Sequence, residues 1–449
     1  MLATRVTLVA LTAALALPTA ALAVDYPPAG DPGKGGSKVR KGKAQKWTVC
    51  KKRKKCDFRT ISKAVRKARG GDTIAVKNGT YRESVTIAGP RYDGLKIVGN
   101  AKKPRRVVLT GKGLRGAKAQ NGVLINNADR VKINGIYARN YKANGFFVVN
   151  AVGYTLTNLV AGKTGVYGIY AFNSKGGTMS NSEAFHANDA GFYIGQTPPQ
   201  SKPRRSIVKN VRSYANVLGF SGTNMRYVTI KDSDFFNNGS GIVPNALDSE
   251  KFPPPDRNVI SGNRVFWNNF NYYAGAPFTI PASGPGGLPG YPIGVGVLLF
   301  GSQNTVVEKN KIFGNWLAGF GAIQQIQLAL QKDPKLQEAS ILRGNTVRNN
   351  DFGLGGSDLN GRDMFYDGSG TGNCFAGNVV RSPNVPADNS TFAPCPGPAA
   401  NTLNSAAQQE GLSWVLGVNK NDPSTFEKFW LKHPHSSQKG ITPLERYSR

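Results

Sequence analysis

Residues that build soft-metal sites and paired-carboxylate sites are scarce in this sequence. The chain of 449 residues has only three histidines, four methionines and four cysteines, and no C-x-x-C pair. Because copper and zinc sites are built from these side chains, we expect no such metal centre. Aspartate and glutamate total 26 against 58 lysines and arginines, and no two carboxylates stand out as the pair that a glycoside hydrolase requires. A lyase or epimerase is therefore a better enzyme hypothesis than a hydrolase.

Long apolar runs are absent after the first residues. Arg5 precedes a short apolar core, Val6 to Leu17, which is followed by the cleavage pattern Ala21-Leu22-Ala23. This order is typical of a secretory signal peptide, which we place at residues 1–23. No later stretch is long enough to span a bilayer. The sequence therefore predicts a protein without a transmembrane segment that is secreted, extracellular or associated with the cell envelope.

The four cysteines agree with an oxidising compartment. They permit three pairings, and the short separations favour the local ones, Cys50 with Cys56 and Cys374 with Cys395. We expect structural disulfides and no thiolate ligands.

The net charge is strongly positive, at +32. Sixteen lysines and arginines but a single acid, Asp57, lie between Lys34 and Arg69. Such a field attracts polyanions through counterion release, which predicts an anionic polysaccharide or cell-wall polymer as partner and only non-specific binding of nucleic acid. We assign residues 24–56 to a basic, disordered arm. The alternative to polyanion binding is that this arm only keeps the protein soluble.

A glycine followed by an apolar residue recurs along the middle of the chain. The first three intervals between these glycines are 23 residues each, and later intervals are mostly longer, as expected when loops are inserted between regular units. The series comprises Gly122, Gly145, Gly168, Gly191, Gly219, Gly241, Gly296, Gly319 and Gly353. A repeat of this length is too long for one strand and has no helical period, so it predicts a coil of two or three short strands.

Amide residues repeat in step with the glycines. One series ends alternating segments and comprises Asn134, Asn158, Asn181, Asn210, Asp232, Asn263, Asn310 and Asn345. A second follows the glycines by five residues and comprises Asn127, Asn150, Asn173, Gln196 and Asn224. Stacked asparagines satisfy one another's amides at turns and tolerate a left-handed backbone there. We therefore predict an all-β fold, a right-handed single-stranded parallel β-helix over residues 57–385.

The predicted solenoid needs caps at its two open ends. Phe58, Ile61 and Val65 lie on one face of a short basic helix that would close the N-terminal end. Residues 323–339 predict a helical insertion between coils, and residues 386–449 an irregular C-terminal tail.

Two segments resemble the first coil of pectin-lyase-like β-helix proteins: Phe58-Arg-Thr-Ile-Ser-Lys-Ala-Val, and Gly71-Asp-Thr-Ile-Ala-Val followed by Gly79-Thr-Tyr-Arg-Glu83. Residues 57–380 are similar to the bacterial right-handed β-helix repeat family of that superfamily. The resemblance implies the fold and leaves the activity open. The signature motifs of its pectate lyases, polygalacturonases, pectin methylesterases and alginate epimerases are absent, and histidine and methionine are too few for NosD-like copper handling.

Strand alternation points to a candidate binding surface. If the residues directly after the repeat glycines point inward, the next ones, Phe147, Tyr170 and Tyr193, point outward on three successive coils. Such a row is a platform for sugar rings. We predict that five residues bind substrate: Phe147, Tyr170, Phe172, Arg204 and Arg205. The alternative is that a loop covers the row and makes it a second apolar core.

A candidate catalytic set follows from the chemistry of acidic sugars. β-Elimination from a uronate needs a cation to neutralise the carboxylate and a base to take the α-proton. We predict that four residues supply these groups: His186, Tyr193, Arg226 and Lys231. His186 is the candidate base, and a surface or structural role is the alternative.

No cofactor is expected from the sequence. Asp248, Glu250 and Asp256 offer the oxygen ligands that Ca²⁺ prefers, with salt bridging or solvation as the alternative. The leading functional hypothesis is a secreted β-helix protein that interacts with anionic polysaccharide. Two alternatives stay open: a polysaccharide lyase or epimerase acting on uronic-acid glycans, and a non-catalytic protein that adheres to the envelope.

Overall fold

The computed structural model describes residues 43–51, 56–270 and 291–416. Its strands form three long parallel sheets, which confirms the predicted right-handed parallel β-helix. The predicted signal peptide, most of the predicted arm, the segment 271–290 and the end of the tail lie outside the described residues. Within the described part of the chain, no helix is both long and apolar enough to cross a membrane.

The strands are short and follow one another regularly. In chain order they are β1 (Lys46–Val49), β2 (Thr73–Val76), β3 (Gly79–Tyr81), β4 (Val85–Ala88), β5 (Lys96–Val98), β6 (Val107–Thr110), β7 (Asn121–Asn126), β8 (Lys132–Asn134), β9 (Tyr137–Tyr141), β10 (Asn144–Val149), β11 (Thr155–Thr157), β12 (Val160–Thr164), β13 (Ile169–Phe172), β14 (Thr178–Ser180), β15 (Glu183–Ala187), β16 (Ala190–Gly195), β17 (Ser206–Lys209), β18 (Arg212–Tyr214), β19 (Leu218–Thr223), β20 (Val228–Lys231), β21 (Asp234–Phe236), β22 (Ser240–Asn245), β23 (Val259–Ser261), β24 (Arg264–Phe266), β25 (Val295–Phe300), β26 (Val306–Glu308), β27 (Lys311–Phe313), β28 (Ala318–Ile323), β29 (Thr346–Arg348), β30 (Asp351–Phe352), β31 (Met364–Tyr366) and β32 (Cys374–Ala376). The helices are α1 (Ile61–Lys67), α2 (Ile326–Ala329), α3 (Pro334–Ala339) and α4 (Ser405–Leu416).

Each coil contributes one strand to each sheet. Sheet A contains β1 and then every third strand from β2 to β32; sheet B runs in the same way from β3 to β30, and sheet C from β4 to β31. The three strands β2 to β4 form the first coil, and β29 to β31 form the tenth.

The inside of the coils is one continuous apolar core. Phe146 pairs with Ile169, and Ile169 pairs with Phe192, so the three side chains stack on successive coils. Each is at most 1% exposed. This confirms the row that the sequence predicts and accounts for the apolar residue after each glycine.

The repeat glycines allow neighbouring coils to approach closely. A Cβ atom on Gly168 would lie 2.5 Å from the carbonyl oxygen of Gly191 and 2.9 Å from the Cβ atom of Ala184. The last predicted member, Gly353, departs from the series: it lies in a left-handed turn after β30, with φ 75°, and Met364 stacks on Phe320 instead.

Replacing Gly168 with alanine is expected to destabilise the protein by about 1–3 kcal/mol, the usual effect of overpacking a closed interior. The added methyl group meets backbone, which cannot rotate away as a flexible side chain can. The midpoint of urea unfolding measures the loss. Thr155→Ala, on the outer face of sheet A, is the control and should shift the midpoint far less; an equal shift in the two variants would contradict the close-packing account.

The amide series form ladders, but in more registers than predicted. Asn158 donates from Nδ2 to Oδ1 of Asn134 at 2.9 Å, and Asn158 has φ 52°, so this turn is left-handed as expected. Asn263 and Asn310 lie one position further along the coil, where their side chains are buried and hydrogen-bonded to each other at 3.0 Å. Asn345 belongs to a third ladder with Asn373.

Both ends of the solenoid are capped. Helix α1 begins after Thr60, whose side chain accepts from the Lys63 amide, and it buries Ile61 and Val65, as predicted. Strand β1 pairs with β2 and lies within residues that the sequence assigns to a disordered arm, so that boundary is wrong. Helices α2 and α3 form the predicted insertion, and α4 packs Trp414 on Phe365 at 4.2 Å between ring centroids.

The two local disulfides are confirmed. Cys50 is bonded to Cys56 beside the N-terminal cap, and Cys374 of β32 is bonded to Cys395.

Candidate functional site

The outward aromatic row on sheet C is buried. Phe147 and Tyr170 are each 1% exposed and Phe172 is 7% exposed. Phe147 stacks on Tyr170 at 4.5 Å between centroids, and Tyr170 meets Tyr193 edge-on at 4.8 Å, within a second apolar cluster. The substrate-binding role predicted for Phe147, Tyr170 and Phe172 therefore does not fit the structure, because a sugar cannot reach these rings. The alternative, a second apolar core, describes them.

His186 is a turn residue between sheets B and C. It has φ 56° and is stacked in register with Ala215 of the next coil, whose carbonyl accepts from the His186 amide. The residue is 0% exposed. Burial, and then the charge of Lys163, lower the pKa of its imidazole to about 3, so the ring stays neutral. The predicted catalytic role does not fit, because a fully buried ring cannot meet a substrate.

The four predicted catalytic residues do not converge. Tyr193 and Arg226 both contact residues 247–256, which we call the lid: the Tyr193 hydroxyl donates to Glu250, and Arg226 donates to the carbonyl of Phe252 at 3.0 Å. Lys231 lies at the far end of β20 from Arg226, where the strand ends. The structure therefore brings together Tyr193 and Arg226 alone.

Two of the three carboxylates considered for Ca²⁺ have other partners, and the third, Asp248, is exposed. Glu250 accepts from Tyr193, and Asp256 forms an ion pair with Arg226 at 3.2 Å. Among the described residues, no three His, Cys, Asp or Glu side chains are grouped as a metal ion would require.

Four basic side chains frame the outer face of sheet A on three successive coils, and we call this surface the basic face. Arg205 directly precedes β17, and Arg257 lies two residues before β23. Lys209 pairs in register with Lys231 at the ends of β17 and β20. Three side chains lie between the two edges: Ile207, Thr229 and Val259. They point outward because Val208, Ile230 and Ile260 occupy the core.

Hydrogen bonds hold the two arginines of this face in place. Arg205 donates from Nη1 to the carbonyl of Arg257 at 3.2 Å, and Arg257 donates from Nη1 to the Tyr227 hydroxyl at 3.1 Å. Both arginines remain exposed, as does the neighbouring Arg204. The lysine edge lies four residues further along the strand, about 13 Å away.

Acidic groups neutralise little of the basic face. Lys231 Nζ lies 3.2 Å from Asp232 Oδ2, and both side chains are about half exposed, at 44% and 55%. Such a pair contributes under about 1 kcal/mol in water. Asp256 is shared, since it lies 3.2 Å from Arg226 and 3.6 Å from Arg257. The face therefore keeps a net positive charge.

A cluster of two tyrosines and two carboxyls lies on the outer side of sheet C. Tyr193 donates to Glu250, and the Tyr167 side chain is hydrogen-bonded to Asp189. Burial raises the pKa of the Glu250 carboxyl to about 8 and that of Asp189 to about 7. Asp189 also raises the pKa of Glu250 by charge repulsion. Glu250 is therefore mainly protonated at neutral pH.

The outer face of sheet B carries a second aromatic ladder that the sequence analysis missed. Successive rings stack at 4.8–5.4 Å between centroids in the order Phe185, Tyr214, Phe236, Phe266 and Phe313. Each residue is at most 8% exposed, and Arg212 lies 5.3 Å from the Phe236 centroid. The ladder is closed to sugars and stabilises the sheet.

The sequence analysis also missed Lys209, Arg257 and the pairing partner of Tyr193. Signals for the first two were present, because Lys209 and Lys231 occupy the same place before a turn amide. Arg257 precedes its strand closely, as Arg205 does. Glu250 was considered only as a Ca²⁺ ligand, and its contact with Tyr193 gave no signal because Glu250 lies in an inserted loop outside the repeat.

This chain is similar to one protein family over part of its length and to several solved structures. A family model described as "Periplasmic copper-binding protein (NosD)" matches residues 70–276, less than half of the chain. The A-module of mannuronan C-5 epimerase AlgE6 from Azotobacter vinelandii is 16% identical, with a TM-score of 0.49, over 72% of this chain and 91% of that chain. No curated protein matches the sequence.

Two further solved structures are similar at lower scores. Pectate lyase Pel9A is 16% identical over 77% of this chain and 78% of its own, with a TM-score of 0.41. The tailspike protein of E. coli bacteriophage HK620 is 10% identical over 71% of this chain and 55% of its own, with a TM-score of 0.45. At such identities none of these proteins assigns an activity to this chain.

The residues that the structure describes do not fit a copper site. All four cysteines are in disulfides, and the imidazole of His186 is buried against Phe185, with 5.1 Å between ring centroids. His433 and His435 lie outside the described residues. We therefore derive no copper chemistry for this chain.

Proposed function

We propose that this pectin-lyase-like β-helix protein is secreted and binds an acidic polysaccharide along the basic face. The observation that carries the proposal is the frame of exposed cations, Arg205 and Arg257 on one edge and Lys209 and Lys231 on the other, around a flat strip that has no aromatic ring. Neighbouring coils repeat about every 4.8 Å, so the cations face a chain that lies along the solenoid axis. The net charge of +32 steers such a chain toward the protein.

The composition of the face favours a polysaccharide over a nucleic acid. Single-stranded nucleic acids are held by stacking of bases on exposed aromatic rings. The strip between the cations, Ile207, Thr229 and Val259, has no aromatic ring, and the rings of the outer faces of sheets B and C are buried. A nucleic acid would be held through its phosphates alone, which gives non-specific binding.

Removing the four charges is expected to weaken polysaccharide binding by about 10- to 100-fold, since each exposed contact contributes up to about 1 kcal/mol. The test variant combines Arg205→Gln, Lys209→Gln, Lys231→Gln and Arg257→Gln. Titration calorimetry with polygalacturonate and with alginate measures the affinity, at several salt concentrations because the slope reports the number of charges engaged.

The matched control removes four exposed charges elsewhere on the helix. It combines Lys112→Gln, Arg115→Gln, Lys118→Gln and Lys142→Gln, which lie between sheets B and C. This variant has the same net charge as the test variant and should keep most of the affinity. Equal losses in both would show that net charge alone attracts the polymer and would reject the basic face as its site. Equal affinity for a DNA duplex would reject the preference for polysaccharide.

A further inference from the structure

Side-chain amides hold residues 247–251 of the lid against the strand ends of sheet C, whereas Pro255 and Asp256 at its other end form backbone hydrogen bonds with neighbouring coils. Asn224 donates from Nδ2 to the carbonyls of Leu247 at 2.7 Å and Glu250 at 2.8 Å, and its Oδ1 accepts from the Leu247 amide at 3.1 Å. Gln196 Oε1 accepts from the Lys251 amide at 2.9 Å. Asparagine and glutamine amides are also groups that hold sugar hydroxyls and carboxylates. The side-chain contacts that fix residues 247–251 are therefore ones that a sugar can take over.

Buried polar atoms beneath the lid are left unsatisfied. Among the described residues, Glu250 Oε2 and Gln196 Nε2 have no hydrogen-bond partner, and neither does Asn245 Oδ1. Gln196 is 4% exposed and Asn245 0%. Buried polar groups without partners cost free energy. The closed lid therefore leaves donors and acceptors to which a ligand could form hydrogen bonds. The Gln196 amide lies beside this gap because its own oxygen holds the residue that follows Glu250.

The lid backbone is strained at Phe252, beside Arg226. Phe252 has φ 65°, a left-handed conformation that is unfavourable for a bulky side chain. Its carbonyl accepts from Arg226 Nη2 at 3.0 Å. Lifting residues 247–252 would relieve this strain and remove one partner of the Arg226 guanidinium, which would keep its ion pair with Asp256. Arg226 directly precedes Tyr227, whose hydroxyl is bonded to Arg257 of the basic face.

We propose that the lid covers a pocket for the carboxyl group of an acidic sugar, and that the Glu250 carboxyl occupies this position while the lid is closed. The donors of this pocket are the Tyr193 hydroxyl and the amides of Gln196 and Asn224. The inference rests on the proposed binding of an acidic polysaccharide, because a chain on the basic face would reach the pocket across Arg226 and Tyr227.

Glu250→Ala is expected to raise the affinity for trigalacturonate by at least about 10-fold, because it removes the internal occupant and keeps the donors (about 1.4 kcal/mol). Trigalacturonate is too short to span the basic face, so calorimetry with it reports the pocket. Glu250→Gln is the matched control and should bind as weakly as the unaltered protein, since the amide still accepts from Tyr193. Adding Tyr193→Phe to Glu250→Ala should remove most of the gain.

Two outcomes separate the pocket from the basic face. If Glu250→Ala binds trigalacturonate no better while polygalacturonate still binds, the pocket is rejected and the proposed function stands. If polygalacturonate binding is absent from the unaltered protein, the proposed function fails first. Hydrogen exchange provides a test that needs no substitution: trigalacturonate should accelerate exchange in residues 247–256 of the unaltered protein, and protection or no change would overturn the displacement of the lid.

Discussion

Replacing Asn268 with alanine is expected to lower the free energy of unfolding by roughly 4 kcal/mol. Asn268 is 0% exposed. It donates to the Phe235 carbonyl at 3.2 Å and to Asn315 Oδ1 at 3.1 Å, and its Oδ1 accepts from the backbone N and the Nδ2 of Asn238 at 3.2 and 3.0 Å. The substitution leaves four buried groups short of a bond, and each such group costs about 1–3 kcal/mol before relaxation.

Urea unfolding followed by circular dichroism measures this loss. The control is Asn78→Ala, because Asn78 is exposed and accepts a single bond from Asn100 at 3.1 Å. It should cost under about 1 kcal/mol. If the two variants unfold at the same urea concentration, the buried ladders are not what fixes the turns between coils.

Raising the pH is expected to loosen the lid. The pKa of Glu250 is about 8 in the folded protein, above its value in the unfolded chain, so protonation stabilises the closed lid. This stabilisation is complete at acidic pH and is lost as the pH rises through about 8. Hydrogen exchange in residues 247–256 should therefore accelerate by about 10- to 100-fold more than the intrinsic rate between about pH 6 and about pH 9.

The groups around Glu250 support this direction. Tyr193 and Tyr167 face it from sheet C, and Asp189 adds a second carboxyl whose pKa burial raises to about 7. Lys251 is exposed, and the Arg226–Asp256 ion pair lies at the other end of the lid. Glu250→Gln cannot ionise and should show no acceleration beyond the intrinsic rate. The same acceleration in that variant would assign the loosening to another group.

The architecture could be predicted because every coil of a solenoid has the same packing requirement, so the same residue types recur at regular intervals in the sequence. The residues after Gly145, Gly168 and Gly191 stack as expected, since one short-range rule, close approach of coils, acts at every repeat. The exact register of each asparagine in the coils was harder to predict. Asn158, Asn263 and Asn345 looked equivalent in the sequence. Asn158 lies in a left-handed turn, Asn263 lies one position later in a buried ladder, and Asn345 lies before its strand in another. Both environments favour asparagine.

The candidate site was only partly predictable. Alternation correctly placed Phe147 and Tyr170 outside the coil, but whether an outward ring is covered depends on segments distant in sequence. His186 looked like a lone functional histidine, and its left-handed turn could not be recognised from one residue. Arg205 and Lys231 were recognised as basic candidates, whereas their partners Arg257 and Lys209 needed strand pairing to be seen. The lyase, epimerase and envelope-adhesion hypotheses stay predictions.

The most direct test of the basic face is a lysine acetylation footprint read by mass spectrometry, with and without polygalacturonate. Our account predicts that the polymer protects Lys209 and Lys231, which lie side by side on sheet A, while Lys118 and Lys142 between sheets B and C react as before. Unchanged acetylation of Lys209 and Lys231 in the presence of bound polymer would contradict it.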